Sequence, residues 1–380
     1  MSNAILLAPG PVQLHPEVQK ILAQPMIHHR TPEFDAILKR VLQDLKFLFQ
    51  TTQPVFMHTS TGSGGMESLL VNLLSPNDEV LAIVSGKFGE RWADMAALYG
   101  AKVHRLDVTW GEAVNPDVVQ QYLDQHPQTR LVLCQATETS TATAHNIEAL
   151  GKIISKTSAL FLVDGITATG AYNIPMDTWH IDGLVAGSQK AVMLPTGLSF
   201  VCLSEKAWKV AQTAPLPRFY FDLRKEYKAN QNGETLFSSS VPLIKALDFV
   251  LTRIQEVGLQ RHFLQLRRRA DFTRELARQM NLQLFSKSPS DSVTALCVPE
   301  GIDGAKLRTH LEQKYQVTVM GGQDQLKGKI LRIGHMGYIR DEDMVETMTR
   351  LAQALQDFQF NIDPQQIKVA SENWLKSHTV

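Results

Sequence analysis

The stretch Ala-Leu-Phe-Leu-Val-Asp-Gly at residues 159–165 is an apolar run closed by one acid, Asp164, and a glycine. A second run further along ends in Ser-Gln-Lys at residues 188–190. Runs of this kind are typical of buried parallel strands, and open α/β sheets bind ligands at the C-terminal edge of such strands. We therefore predict that Asp164 and Lys190 lie at strand ends and face one crevice.

Lys190 is poorly placed for a solvated surface charge, because apolar residues and Pro195 follow it. Pyridoxal phosphate chemistry needs one buried lysine and one buried acid. The amine forms the Schiff base, and the carboxylate keeps the pyridine nitrogen protonated. Taken alone, Asp164 and Lys190 could equally form a structural ion pair with no cofactor between them. The cofactor interpretation therefore depends on motifs elsewhere in the chain.

A glycine-rich turn connects a short strand at residues 54–58 to a helical pattern that begins near Met66. It contains Ser63, Gly64 and Gly65. Glycines let the backbone approach a ligand, and free N–H groups at a helix N-terminus favour a phosphate. The turn lacks the lysine of a Walker loop and the third glycine of a dinucleotide fingerprint. As a bare pattern it could be only a tight connection, but beside the acid and the lysine it supplies a phosphate site.

With these motifs the chain resembles the class V aminotransferases of fold type I, in particular the branch that uses alanine or serine with glyoxylate or pyruvate. The resemblance extends from residues 6–11, Leu-Leu-Ala-Pro-Gly-Pro, to residues 331–334, Leu-Arg-Ile-Gly. Strand and helix patterns also alternate along the chain, which indicates a mainly parallel sheet. We expect an α/β protein with a seven-stranded type of sheet between helices and a small C-terminal α+β domain.

The predicted domain division is an N-terminal arm at residues 1–20, a large cofactor-binding domain at 21–258 and a small domain at 259–380. One long helix is expected from Pro242 through Gly258 to about Gln279. Its arginines are expected on a solvated face. They are Arg261, Arg267, Arg268, Arg269 and Arg274.

The resemblance implies pyridoxal 5'-phosphate as cofactor, with Lys190 and Asp164 as the catalytic pair. It implies ring contacts from Phe88 and Ile166 on opposite faces and a hydrogen bond from Thr139 to the phenolic oxygen. The full set of cofactor-binding residues that it implies is Ser63, Gly64, Gly65, Phe88, Thr139, Asp164, Ile166, Gln189, Lys190 and Ser240.

The resemblance also implies a homodimer with shared active sites, in which Ser240 reaches the partner's cofactor phosphate. Arg332 is expected to clamp the substrate's α-carboxylate, a task that suits a planar guanidinium. Three positions depart from the family's pattern. Ala8 and Ala142 replace glycines, and Phe237 stands where relatives often have a tyrosine.

Composition points to no other partner class. Lys and Arg together number 38, as do Asp and Glu, so no charge excess favours nucleic acid or an anionic membrane. The cysteines Cys134, Cys202 and Cys297 have no metal or disulfide spacing and are expected in the core of a cytoplasmic protein. No run of about 18 apolar residues is present, so we expect no membrane span, and we expect no metal site.

These observations predict a transaminase that moves the amino group of alanine or serine to glyoxylate or pyruvate through Lys190. Three alternatives remain. A cysteine desulfurase would need a reactive cysteine on a mobile loop, whereas Cys297 lies in a strand-like run. Another lyase on the same cofactor would keep every cofactor residue. A non-catalytic subunit that retains the fold would be expected to lose the lysine or the acid.

Overall fold

The computed structural model describes residues 4–379. The strands are β1 (Ile5–Leu6), β2 (Val55–His58), β3 (Glu79–Val84), β4 (Lys102–Asp107), β5 (Leu131–Gln135), β6 (Thr137–Glu138), β7 (Thr143–Ala144), β8 (Leu160–Asp164), β9 (Gly183–Gly187), β10 (Ser199–Leu203), β11 (Val293–Cys297), β12 (Val317–Thr318), β13 (Met320–Gly321) and β14 (Ile330–Gly334).

Within the described residues a seven-stranded sheet has the order β2, β10, β9, β8, β5, β3, β4. Strand β10 runs antiparallel to both of its neighbours, and the other adjacent pairs are parallel. A smaller antiparallel sheet has the order β11, β14, β13. The predicted α/β fold class is confirmed.

Helices cover both faces of the large sheet and one face of the small one. They are α1 (Pro16–Leu22), α2 (Pro32–Phe49), α3 (Gly62–Leu73), α4 (Lys87–Leu98), α5 (Pro116–Gln125), α6 (Ile147–Ile154), α7 (Glu205–Ala211), α8 (Leu223–Gln231), α9 (Val241–Val257), α10 (Leu259–Gln279), α11 (Gly304–Tyr315), α12 (Asp341–Asp357) and α13 (Pro364–Ser377). A short 3-10 helix occupies Asp324–Leu326. Of these described helices, none is long and apolar enough to cross a membrane.

Strand β8 shows why the sheet is buried on both sides. Phe161 and Val163 belong to the apolar cluster under α2, α5, α6 and α9. Leu160 and Leu162 point the other way, into the cluster under α3, α4 and α7. Successive side chains of a strand alternate between faces, so a strand covered on both faces must be apolar at every position. The run therefore stays apolar until its last residue, Asp164.

The long helix expected from Pro242 to Gln279 is interrupted. Gly258 has φ +81° and separates α9 from α10, so the prediction of a single helix was wrong. Glycine adopts this left-handed conformation at little cost, and the change of direction starts a new helix. The predicted domain boundary at 258 coincides with this break and remains a prediction.

The solvated arginine face predicted for α10 is correct only in part, because Arg261 and Arg267 are exposed but Arg268, Arg269 and Arg274 are not. Arg269 donates to three backbone carbonyl groups in residues 335–339 at 3.0 to 3.2 Å. Burial lowers the pKa of Arg269 to about 10. Helical spacing could not reveal this, since the carbonyl groups belong to the loop that follows β14.

The described part of the N-terminal arm, residues 4–20, packs on the rest of the chain at both of its ends. Strand β1 pairs in parallel with β12 of the smaller domain, and α1 packs on α9. Leu7 and Ala8, which follow β1, are both buried. The arm therefore crosses from the small domain to the large one, past the strand ends of the central sheet.

Candidate active site

Asp164 and Lys190 come from neighbouring strands of the central sheet. Asp164 is the last residue of β8, and Lys190 lies three positions beyond the end of β9. Both are buried, with 5% and 8% of their surface exposed. Asp164 Oδ1 accepts a hydrogen bond from the Ile166 N–H at 2.9 Å, while its Oδ2 has no hydrogen-bond partner among residues 4–379. One carboxylate oxygen is therefore left for a ligand.

Burial dominates the ionisation of both groups. It raises the pKa of Asp164 from 3.8 to about 7, against the hydrogen bond from the Ile166 N–H, which lowers it. Burial lowers the pKa of Lys190 from 10.5 to about 8, while the nearby charge of Asp164 raises it. The two groups thus titrate near neutral pH, which is where acid–base catalysts work best.

Helix α3 begins at Gly62, and its first turn is built from glycines. Within residues 4–379 no side chain caps this end of the helix. A Cβ at Gly62 would lie 2.6 Å from Ile166 Cδ1, and one at Gly65 would lie 2.5 Å from Val185 Cγ2. The glycines therefore let the first turn of the helix pack against Ile166, which follows β8, and against Val185 of β9. The N–H groups of Gly64 and Gly65 donate to the Thr61 carbonyl at 2.9 and 3.3 Å, whereas those of Gly62 and Ser63 have no acceptor among residues 4–379. These two free N–H groups and the positive dipole end suit an anion at this position.

The Glu138 carboxylate fixes the positions of Phe88 and Thr139. One of its oxygens accepts the N–H groups of Phe88 and Gly89, each at 3.0 Å. The other accepts the N–H and the hydroxyl of Ser140. Phe88 thus lies in the first turn of α4, which begins at Lys87. The carboxylate caps this helix from the turn that carries Thr139, so both candidate residues depend on one anchor.

Thr139 contacts Thr167, in the turn that follows Asp164, and Arg332. Its hydroxyl shares a hydrogen bond of 2.8 Å with Thr167. Its carbonyl oxygen accepts from Arg332 Nη1 at 2.9 Å, and Arg332 Nε donates to the Gly321 carbonyl at 2.9 Å. Arg332 is 6% exposed, and burial lowers its pKa to about 10. Its Nη2 has no hydrogen-bond partner within the described residues, so one edge of the guanidinium can meet a carboxylate.

Two other candidates differ in how they relate to this cluster. The Gln189 side-chain oxygen is buried and has no hydrogen-bond partner among residues 4–379. Ser240 is the N-cap residue of α9, and no hydrogen bond joins its side chain to another candidate residue within that range. Neither side chain hydrogen-bonds to another candidate residue within residues 4–379, so the places of Gln189 and Ser240 in the site stay predictions.

The arm supplies a contact that sequence reasoning missed. Lys190 Nζ donates to the carbonyl oxygen of Pro9 at 2.7 Å. Gly10 has φ +130°, and a Cβ there would lie 2.6 Å from Lys190 Nζ. The resemblance of this Pro-Gly-Pro opening to the family's implies a segment that runs past the active site, but it does not show which residue the segment contacts.

Arg91 and Glu138 were also missed. The Arg91 guanidinium lies 4.8 Å from the centre of the Phe88 ring and donates to Ser63 Oγ at 3.2 Å. Its position one turn after Phe88 in α4 was the available signal. Glu138 was visible in the motif around Thr139, but an acid in a polar turn usually indicates a solvated residue or a helix cap.

The central sheet, the smaller domain and the buried lysine and acid at adjoining strand ends define a transferase of fold type I, the fold used by one large group of pyridoxal-phosphate enzymes. A family model described as Aminotransferase class-V matches residues 13–345. The chain belongs to the class-V aminotransferases. The resemblance and the transaminase activity predicted from the sequence are confirmed, and membership implies pyridoxal phosphate as cofactor.

Individual relatives agree with the family over nearly the whole chain. The L-aspartate–glyoxylate aminotransferase of Paracoccus denitrificans is 37% identical over 88% of this chain and 87% of its own length. The alanine–glyoxylate aminotransferase of Nostoc sp. has a solved structure with a TM-score of 0.89 and 28% identity, covering 93% of this chain and 96% of that one. A soluble hydrogenase 42 kDa subunit of Anabaena cylindrica is 36% identical over 91% of this chain and 92% of its own length.

Proposed function

We propose that pyridoxal 5'-phosphate binds between Phe88 and Ile166 and that its reactive carbon faces Lys190. The residues present suit this group. The N-terminus of α3 has no side-chain cap among residues 4–379 and suits the phosphate. The free oxygen of Asp164 suits a protonated ring nitrogen. The backbone at Ser63, Gly64 and Gly65 would hold the phosphate, with Gln189 beside it.

When bound, the cofactor supplies an electron-withdrawing ring that weakens the Cα–H bond of an amino acid. Lys190 would carry the proton to and from that carbon. Its buried amine has a pKa lowered to about 8, so both the neutral and the protonated form are present at physiological pH. Asp164 would keep a positive charge on the ring nitrogen, because a carboxylate within hydrogen-bond reach favours the protonated form.

Arg332 would bind the substrate's α-carboxylate through the guanidinium edge that has no protein partner. The two bonds to the Thr139 and Gly321 carbonyls fix the plane of the guanidinium. Because these two carbonyl groups are neutral, they leave the positive charge of Arg332 uncompensated for the substrate's carboxylate. A lysine could not make both carbonyl bonds and still present two donors in one plane.

We infer that the amino donor is small, alanine or serine, and that the acceptor is glyoxylate or pyruvate. The support for the acceptor is that two relatives both carry glyoxylate in their names, and the support for a small donor is the alanine named in one of them. The single observation that carries the transaminase proposal is the burial of Lys190 and Asp164 together at the strand ends. A non-catalytic role, suggested by the name of the hydrogenase-subunit relative, is not favoured, because both residues are intact and buried.

A desulfurase is disfavoured by the position of Cys297. This cysteine is the last residue of β11, and burial raises the pKa of its thiol. A nucleophilic cysteine needs the opposite shift, toward the thiolate, and a mobile position.

We further propose a homodimer in which Ser240 of each protomer reaches the partner's phosphate. The support is an exposed aromatic group close to this segment. Tyr220 stacks on Phe237 with ring centroids 4.9 Å apart, and Phe219 is 75% exposed beside them. Exposed aromatic side chains are enriched at protein interfaces. Phe237 provides no hydroxyl for the phosphate. The cytoplasmic location predicted from the sequence remains a prediction.

The test is a comparison of Lys190→Ala with Lys209→Ala, which changes an exposed lysine of α7. We expect purified wild-type protein and Lys209→Ala to show a visible absorbance band that alanine or serine bleaches and glyoxylate restores. Lys190→Ala should lose the band and the turnover. Quantifying both products separates a transaminase from a lyase, since transamination yields one new amino acid for each new 2-oxo acid. Turnover retained in Lys190→Ala would refute the assignment.

A further inference from the structure

The N-terminal arm makes direct contact with the reactive end of Lys190. Within residues 4–379 the only hydrogen bond of the Lys190 amine goes to the carbonyl oxygen of Pro9, at 2.7 Å. The next residue, Gly10, is packed so closely that a Cβ would lie 2.6 to 2.7 Å from Cδ, Cε and Nζ of the lysine. The arm therefore covers the whole end of the side chain and not only its charge.

The same arm is held on its other side by the strand that carries Arg332. Gly334, two residues after Arg332 in β14, donates its N–H to the Leu7 carbonyl at 2.7 Å. A Cβ at Gly334 would overlap the carbonyl group of Ala8. The segment from Leu7 to Gly10 thus runs from the strand of the candidate carboxylate clamp to the candidate catalytic amine.

We propose that the Leu7–Gly10 segment is a positioning element, in which the Pro9 carbonyl orients the Lys190 amine and β14 fixes the position of that carbonyl. This inference rests on the proposed function of Lys190. A carbonyl oxygen is a fitting acceptor for an amine that must give and take a proton. It holds an N–H in place, yet it carries no full charge that would lock the amine in its protonated form.

The arrangement also couples the two ends of the site. Arg332 and Lys190 belong to different domains, and the arm is a short backbone connection that contacts both their surroundings. A displacement of β14 would therefore move the Pro9 carbonyl and with it the preferred direction of the amine. Sub-ångström placement of a catalytic group matters for rate, so such a connection would act on turnover more than on substrate affinity.

Two substitutions displace the arm by different routes. Gly334→Ala forces Ala8 and Pro9 away from β14 without touching the lysine. Gly10→Ala inserts a methyl group against the lysine itself. Gly301→Ala is the matched control, because Gly301 also has a positive φ, +82°, and a Cβ there would meet nothing within 4 Å among the described residues. Gly301→Ala therefore introduces the same kind of backbone strain as Gly10→Ala, a side chain at positive φ, but no contact with the lysine or the arm.

The first measurement is the pH dependence of amine acylation of Lys190, read by mass spectrometry on the full-length protein freed of cofactor. Loss of the carbonyl acceptor removes a hydrogen bond that favours the charged amine. The labelling midpoint should therefore fall by about one pH unit in Gly334→Ala and Gly10→Ala and stay unchanged in Gly301→Ala. A midpoint unchanged, or raised, in a folded Gly334→Ala or Gly10→Ala protein would overturn the proposal.

The second measurement is steady-state turnover of the cofactor-loaded enzyme. We expect kcat to fall at least about tenfold in both arm variants, with a smaller change in KM, because the amine and not the carboxylate clamp is displaced. A fall confined to KM would contradict the positioning role. The labelling experiment needs no turnover. If the arm variants show the midpoint shift while the wild-type protein transfers no amino group, the proposed function is refuted and the arm contact stands.

Discussion

Replacing Asp164 with asparagine is expected to stabilise the cofactor-free protein while abolishing transamination. Burial raises the pKa of Asp164 from 3.8 to about 7. Between these pH values the folded protein holds a proton that the unfolded chain has released. Stability therefore falls as the pH rises through this window, and ionised Asp164 is a cost to the fold above pH 7.

The size of the effect follows from the pKa difference. At about 1.4 kcal/mol for each pH unit, the interval from 3.8 to about 7 corresponds to about 4 kcal/mol. Asparagine keeps an acceptor for the Ile166 N–H and carries no charge. The free energy of unfolding should therefore exceed that of wild type by less than about 1 kcal/mol at pH 4 and by as much as about 4 kcal/mol at pH 8.

Asp182 provides the matched control, because it is another buried aspartate, next to β9, with a different set of contacts. Its two oxygens accept from the Phe161 N–H at 3.0 Å and from the Ser204 hydroxyl at 2.6 Å. Asp182→Asn loses one of these acceptors and should destabilise the protein by about 1–3 kcal/mol.

The assay is urea unfolding of the cofactor-free proteins at pH 4, 6 and 8, followed by tryptophan fluorescence. Opposite signs for the two variants at pH 8 are expected. If Asp164→Asn raises the free energy of unfolding equally at all three pH values, or lowers it at pH 8, then burial does not destabilise the ionised form of Asp164.

Three further substitutions test single contacts. Gly65→Ala places a methyl group 2.5 Å from Val185 Cγ2, so it should lower the free energy of unfolding in urea by about 1–3 kcal/mol and weaken cofactor binding. An unchanged cofactor affinity would contradict the proposed phosphate site. Arg332→Lys should raise the KM for the amino donor by about 10- to 100-fold in steady-state kinetics, because lysine lacks the planar pair of donors; an unchanged KM would reject the clamp. Arg269→Met leaves three carbonyl groups without their hydrogen-bond donor and should lower the free energy of unfolding in urea by about 3–5 kcal/mol. The control Arg267→Met, which changes an exposed arginine, should change it by less than about 0.5 kcal/mol. Equal effects of the two substitutions would contradict the observed burial of Arg269.

Much of the central fold could be predicted from local patterns. The two apolar runs located β8 and β9, and the residue types that follow them made Asp164 and Lys190 candidate site residues. In β14 the strand alternation places Leu331 and Ile333 in the core and Arg332 on the other face. These features depend on the alternation of side chains along a strand, which can be seen in consecutive residues of the sequence.

The sequence alone therefore determined the sheet, the strand-end pair and the glycine turn, since each follows from residues close together in the chain. The tertiary structure decided how these parts meet. The Pro9 contact with Lys190 joins residues 181 positions apart, and the contact of Arg332 with Thr139 joins residues 193 positions apart. The physical reason is that backbone carbonyl groups serve as the acceptors in both contacts. Every residue has a carbonyl group, so residue types do not reveal which carbonyl the packing of the arm and the small domain will bring to a buried cation.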